Sequence, residues 1–179
     1  KKLAIEGGAP VRTDLLPYGG QTIEEQDIEA VTEVLRSDWL TTGPKVGAFE
    51  EAFADAMGAA HAVAVSNGTA ALHAAMHVIG IEPGDEVIVT PLTFAATANS
   101  VAYQGGTPVF ADVEPDTLLI DPESVEACIT DRTRAIVAVD YSGHPCDYDA
   151  LRSIADAHDL VLLDDACHAI GGSYHGTPV

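Results

Sequence analysis

From His61 onward, short apolar β-rich runs alternate with helical stretches. The runs are HAVAV (61–65), EVIVT (86–90), PVFAD (108–112), AIVAVD (135–140) and LVLLD (160–164), with helical patterns at about 69–79, 95–104, 122–130 and 147–158 between them. Runs without polar alternation suit strands covered on both faces, and strands alternating with helices predict a mostly parallel sheet. The expected fold class is α/β.

The first sixty residues differ in kind. A Gly/Pro-punctuated arm leads to TIEEQDIEAVTEVLRS, in which Ile23, Ile28, Val31, Val34 and Leu35 recur near helical spacing and acids crowd the first turn, where the helix dipole favours them. The loop DWLTTGPKVG follows, then a second helix expected from about Ala48 to Met57. This suggests an N-terminal arm with helices over 1–60 and the start of a larger domain over 61–179.

Charge narrows the functional classes. Asp and Glu total 28 against 8 Lys and Arg, for a formal net charge of −20. Such a surface repels nucleic-acid phosphates and anionic lipid, so partners of those kinds are not expected. Cys128, Cys146 and Cys167 are odd in number, widely spaced and without a CxxC pair, which argues against a disulfide framework or a structural zinc site. With no apolar run of membrane-spanning length and no signal-peptide pattern in KKLAIEGGAP, a cytoplasmic setting is expected.

In open α/β sheets ligands collect at the carboxyl ends of the strands. The residues there are SNGT (66–69), PLTF (91–94), YSGH (141–144) and DACH (165–168). Gly68 permits close backbone approach, and Thr69 falls at a helix start, where free N–H groups and the positive dipole end suit an anion such as phosphate. An SNGT turn can equally be a plain N-cap. The pair Asp164–Asp165 after an apolar run resembles a Walker B element, yet no GxxxxGK[ST] and no Gly-Lys dipeptide accompanies it.

A magnesium site on one of the two acids stays open, as does a metal held by His73 and His77 at i, i+4, although HAAMH lacks the metalloprotease Glu. Neighbouring strand residues point to opposite faces, so a single acid of the pair is expected to meet a ligand. An anion cradle, one acid opposite it and the aromatic Phe94 together suggest a flat, phosphorylated, cationic heterocycle. Against this stand plainer roles: Phe94 as core filler, Asp165 as an N-cap, His168 as a satisfied buried histidine.

The ordered motifs LPYGGQTI, DWLTTGP, FEEAFA, AVSNGTAAL, GDEVIVTPLTFAATANSV, GGTPVFADVEPDTLLID and LLDDACHAIGGSYHGTPV cover nearly the whole chain. Together they resemble the N-terminal half of the DegT/DnrJ/StrS nucleotide-sugar aminotransferases. That resemblance implies a fold-type I aminotransferase large domain that binds pyridoxal 5'-phosphate. It also implies that Gly68 and Thr69 contact the cofactor phosphate, that Phe94 stacks on the pyridine ring, and that Asp165 binds the pyridine nitrogen. By the same resemblance His168 falls where the family has Gln or His near the ring hydroxyl, and Asp164 is left a structural role.

In the arm, Tyr18 and the segment Asp38, Trp39, Leu40 and Thr41 resemble stretches that help bind the nucleotide-sugar and form the homodimer. They are most similar to the branch that makes 4-amino sugars on a UDP carrier in pseudaminic acid synthesis. The implied reaction is transfer of an amino group from glutamate to a UDP-linked 4-keto-6-deoxy-HexNAc.

Family members place a Schiff-base lysine beyond the aspartate. Here the lysines are Lys1, Lys2 and Lys45. The expectation is therefore a fragment that lacks the C-terminal small domain, contains no catalytic residue of its own and is inactive alone. Related alternatives are a sugar dehydratase on the same fold and a noncatalytic module that binds the cofactor or another ligand.

Overall fold

The computed structural model describes every residue except Lys1, Leu16 and Tyr18. The chain forms two compact units, Lys1–Gly47 and Ala48–Val179. The division falls before residue 60, inside a helix, because that helix's later residues bond forward: the Glu50 carboxylate accepts from the Ala64 N–H at 2.8 Å.

In the first unit, helix α1 spans Glu25–Arg36. Asp27 folds back to accept from the Glu24 N–H at 2.8 Å, and Arg36 sits in the last turn, where the dipole favours a cation. The stripe of Ile28, Val31 and Leu35 is exposed. Helix α2, Pro44–Met57, begins earlier than its apolar pattern suggests. Proline's fixed φ is preorganised for a first helical position, and its missing N–H costs nothing there.

The second unit is built on a four-stranded sheet in the order β2-β1-β3-β4. Its strands are β1 Glu86–Val89, β2 Thr107–Phe110, β3 Thr133–Val139 and β4 Val161–Asp165, paired in parallel throughout. Helices α3 Gly68–Ile79, α4 Ala96–Tyr103, α5 Pro122–Ala127 and α6 Tyr148–His158 connect and cover it.

Alternation along the strands divides the core in two. Val87, Val89, Ala135 and Val137 pack with Met76 of α3 and Val101 of α4. Ile88, Ile136 and Ala138 pack on the other face with Val125 of α5 and Leu151 of α6. The apolar runs are therefore strands buried on both sides, as their lack of polar alternation predicts.

At the amino ends of the strands lie two ion pairs. Arg132 and Thr130 both bond the Glu86 carboxylate, and these partners, Thr130 first, hold its carboxyl below the usual range. A register irregularity between Glu86 and Val87 leaves Arg134 without a ladder partner, and its Nε reaches Asp85 Oδ1 at 2.9 Å.

One expected strand is absent. The run 61–65 pairs with nothing among the described residues, and Val63 is 80% exposed. A β-rich sequence becomes a strand only where a sheet edge offers its ladder, and both edges of this sheet, β2 and β4, lie without it. Conversely, a small antiparallel hairpin, β5 Ser173–Tyr174 with β6 Thr177–Pro178, was not legible in the apolar pattern. Its two-residue turn, His175 and Gly176, has positive φ at both positions, the geometry that matches strand twist.

Ile136 is fully buried in the central strand β3. Ile136→Ala is expected to lower unfolding free energy by about 2–5 kcal/mol, and Val63→Ala by under about 0.5 kcal/mol, both read from urea denaturation. Equal losses would contradict the assignment of β3 as the core strand and 61–65 as an uncovered segment.

Candidate functional site

A cleft of about 310 Å³ opens at the carboxyl ends of β3 and β4. Its wall brings together Gly68 and Thr69 from the start of α3, Phe94 from the loop before α4, and Asp165 and His168 from the end of β4. These five come from three separated parts of the chain, and all were singled out by the sequence.

The helix cap at α3 is Asn67, not Thr69: its Oδ1 accepts from the Ala70 N–H at 2.9 Å. The first N–H groups of a helix have no intrahelical acceptor, so those of Gly68 and Thr69 stay free at the cleft, where the dipole favours an anion. A side chain at 68 would also crowd its neighbour. A Cβ there would lie 3.1 Å from the Cys167 Sγ.

Asp165 is 8% exposed and points to the α3/α4 face, because Val139, which leads on from Val137, pairs with it in the ladder. The Thr97 hydroxyl donates to its Oδ2 at 3.0 Å. Thr93 and Thr97 hydroxyls lie 2.8 Å apart. Since Thr97 spends its single proton on Asp165, Thr93 must donate to Thr97, and the two threonines form a directed chain ending on the carboxylate. Hydrogen bonding to Asp165 and then burial push the Cys167 thiol up to about 11, keeping it protonated. No cationic side chain among the described residues forms an ion pair with Asp165.

The plainer roles fall away on geometry. Phe94 is 77% exposed, so it fills no core. His168 is exposed rather than buried. Asp165 ends a strand and caps no helix. Sequence reasoning missed Thr93, Thr97, Tyr141 and Cys167, all of which line the cleft or hold its acid. Thr97 had a signal, lying one helical turn past Phe94 at the start of α4. Gly143 supports the far wall: with φ +82 and a virtual Cβ 2.9 Å from the His168 carbonyl oxygen, the site accepts no side chain there.

The two acids diverge as expected, with Asp164 turned to the opposite face, and no group of three metal-ligating side chains occurs among the described residues. His73 packs edge-on against Tyr103 with ring centroids 5.3 Å apart.

The arm residues belong to the first unit. Trp39 and Leu40 line a hollow of about 280 Å³ together with Ser37 and Lys45. Asp38 and Thr41 are exposed and do not line it. Tyr18 lies outside the described residues.

Known proteins are similar to this chain in sequence and fold. The spore coat polysaccharide biosynthesis protein SpsC of Bacillus subtilis is 50% identical over 163 residues, 91% of this chain and 42% of that protein. DesV of S. venezuelae superposes with a TM-score of 0.83 at 42% identity, over 85% of this chain and 41% of that one. Helicobacter pylori PseC, an aminotransferase involved in the biosynthesis of pseudoaminic acid, gives a TM-score of 0.87 at 35% identity, over 91% of this chain and 44% of that one. The chain thus spans less than half the length of these relatives. The profile of one family, whose enzymes depend on pyridoxal phosphate, matches residues 21–179, and the chain belongs to that family, the DegT/DnrJ/EryC1/StrS aminotransferases.

Proposed function

We propose that the cleft holds pyridoxal 5'-phosphate and that the whole protein moves an amino group from glutamate to a keto group of a nucleotide-linked sugar. The observation that carries this reading is Asp165: a buried carboxylate that no cation pairs with among the described residues, on one cleft with a helix start whose N–H groups are free and an exposed aromatic ring. A buried charge left without a partner is costly. A protonated pyridine nitrogen supplies the missing cation, and the same molecule's phosphate supplies the anion for α3.

In this reading the free N–H groups of Gly68 and Thr69 bind the phosphate. Phe94 stacks on the ring, sheltering its own exposed face. Thr97, oriented by Thr93, holds Asp165 so that one oxygen stays available to the pyridine N–H. His168, on the same cleft, would lie beside the ring hydroxyl. When bound, pyridoxal phosphate supplies the electron sink for the transfer. No lysine lines the cleft, and the Schiff-base lysine lies outside this chain.

The likeness of the arm motifs to the UDP-sugar branch, together with PseC among the relatives, supports a UDP-linked 4-keto-6-deoxy-HexNAc as substrate, with Tyr18 and Asp38–Thr41 binding its nucleotide-sugar part in a homodimer. Polysaccharide biosynthesis, the process for which SpsC is named, fits a cytoplasmic enzyme.

Asp165→Asn keeps the shape and removes the charge. It is expected to weaken pyridoxal phosphate binding about 10- to 100-fold, the loss of a charge-assisted hydrogen bond of about 1.5–3 kcal/mol, read by absorbance titration. In thermal unfolding without cofactor the same variant should be at least as stable as the parent, because an unpaired buried charge is gone. Unchanged affinity would overturn the assignment of Asp165.

Borohydride treatment of the 179-residue chain with pyridoxal phosphate should leave no stoichiometric lysine adduct. Full labelling at Lys45 accompanied by turnover would refute the placement of the catalytic lysine elsewhere.

A further inference from the structure

On the face of the sheet opposite the cleft, a second pair of acids is unassigned. Ala138 pairs with Asp164 in the β3–β4 ladder, and Asp140, two residues beyond Ala138, extends from the same face. Asp140 is fully buried. Its Oδ1 accepts from the Cys146 N–H at 2.8 Å and from the Tyr148 hydroxyl at 2.7 Å. Its Oδ2 has no partner, and neither has the buried Oδ1 of Asp164.

The proton count is the constraint. Tyr148 lines the same hollow as Asp164, yet its one hydroxyl proton is already given to Asp140. Asp149 and Arg152 of α6, with Tyr174 and His175 of the hairpin, border the same hollow of about 440 Å³ as Tyr148 and Asp164. His175 faces Asp149 at 3.5 Å, and Arg152 makes no ion pair with either acid among the described residues. Cys146, buried beside Asp140, has its thiol pushed up to about 12 by that burial and then by Asp140, so it stays neutral. Two ionised carboxylates on adjacent strands, each with an empty buried oxygen, are therefore uncompensated. One added proton relieves their repulsion and gives Asp164 a hydroxyl to donate.

We infer that Asp140 and Asp164 form an acid pair in which Asp164 takes up a proton, with Tyr148 bracing Asp140, and that this uptake sets the charge behind Asp165. Burial first, then the Asp140 and Asp165 charges, push the Asp164 carboxyl up to about 6 against a partial opposing pull from the Tyr148 hydroxyl. The hollow gives the proton a path to solvent.

The sign follows from linkage. The folded pair holds its proton more tightly than the unfolded chain, so its stabilising effect is complete below about pH 4. It declines as the pH rises through about 6. Above that, the ionised pair adds negative charge beside Asp165 and strengthens its hold on a cation. This last step rests on the proposed cofactor reading; the pair itself does not.

Carboxyl-carbon NMR of the protein should show an Asp resonance titrating near pH 6 that disappears in Asp164→Asn. Titration of every carboxyl below about pH 5 would overturn the pair. In thermal unfolding, the melting temperature of the parent should fall relative to Asp164→Asn between pH 5 and 7, and parallel profiles would also overturn it. Tyr148→Phe serves as a second variant if Asp164→Asn does not fold, and should move the same resonance to higher pH, since the hydroxyl that favours the ionised form is lost; an unmoved resonance would refute the bracing by Tyr148.

Pyridoxal phosphate affinity should rise about fivefold more in the parent than in Asp164→Asn from pH 5.5 to 7.5. Equal changes would refute the coupling to Asp165. A protein that binds no pyridoxal phosphate sinks the cofactor reading and the coupling with it, while the carboxyl titration still decides the pair.

Discussion

The parallel pairing of β3 with β4 is the constraint on which both faces of the molecule depend. Val139 opposite Asp165 and Ala138 opposite Asp164 fix which acid looks toward α3 and α4 and which toward α6. A slip of one residue would exchange them, putting Asp165 behind the sheet and Asp164 at the cleft. The ladder continues past the strands, with the Asp140 N–H donating to the Asp165 carbonyl at 3.3 Å. One backbone register thus sets the cleft acid and the rear acid pair together. The apolar residues of β3, buried on both sides, are what hold that register.

Charge is distributed along the strands with a direction. At their amino ends, Arg132 and Arg134 neutralise Glu86 and Asp85. At their carboxyl ends Asp140, Asp164 and Asp165 gather without an ion pair among the described residues. In a chain of formal charge −20, that end of the sheet is a poor place for a carboxylate unless protons or a cationic ligand arrive. The two acids that share the rear face each keep a buried oxygen without a partner among the described residues. Asp165, on the other face, has the Thr97 hydroxyl and the Cys167 thiol beside it. The start of α3 on the same cleft offers free N–H groups, a local attraction for an anion that does not depend on net charge.

Several apolar surfaces lie open: the stripe on α1, Val63 and Val65, and Phe94. They differ in meaning. The α1 residues follow a helical period and would suit a packed face, the 61–65 run has the composition of a strand without a ladder, and Phe94 is a single ring at the mouth of a polar cleft. Only the last sits among groups that define a ligand.

Much of the fold was legible because the apolar runs report burial directly. Runs such as EVIVT and AIVAVD announce strands covered on both faces, and the glycine and proline punctuation bounds the helices between them. The opposite orientation of Asp164 and Asp165 was legible too, since it follows from strand geometry alone. Ordered motifs from LPYGGQTI to LLDDACHAIGG carried the family. What remained hidden depends on partners distant in the chain. His61–Val65 reads as a strand, but pairing requires an adjacent edge, which local sequence cannot supply. The donor chain from Thr93 through Thr97 to Asp165 spans 68 residues in its last link, and the orphaned oxygens of Asp140 and Asp164 exist only once two strands align. Residue identity determined which groups could bond or titrate; the tertiary structure decided which of them meet, because hydrogen bonds and charge repulsion act over a few ångströms of space and are blind to separation along the chain.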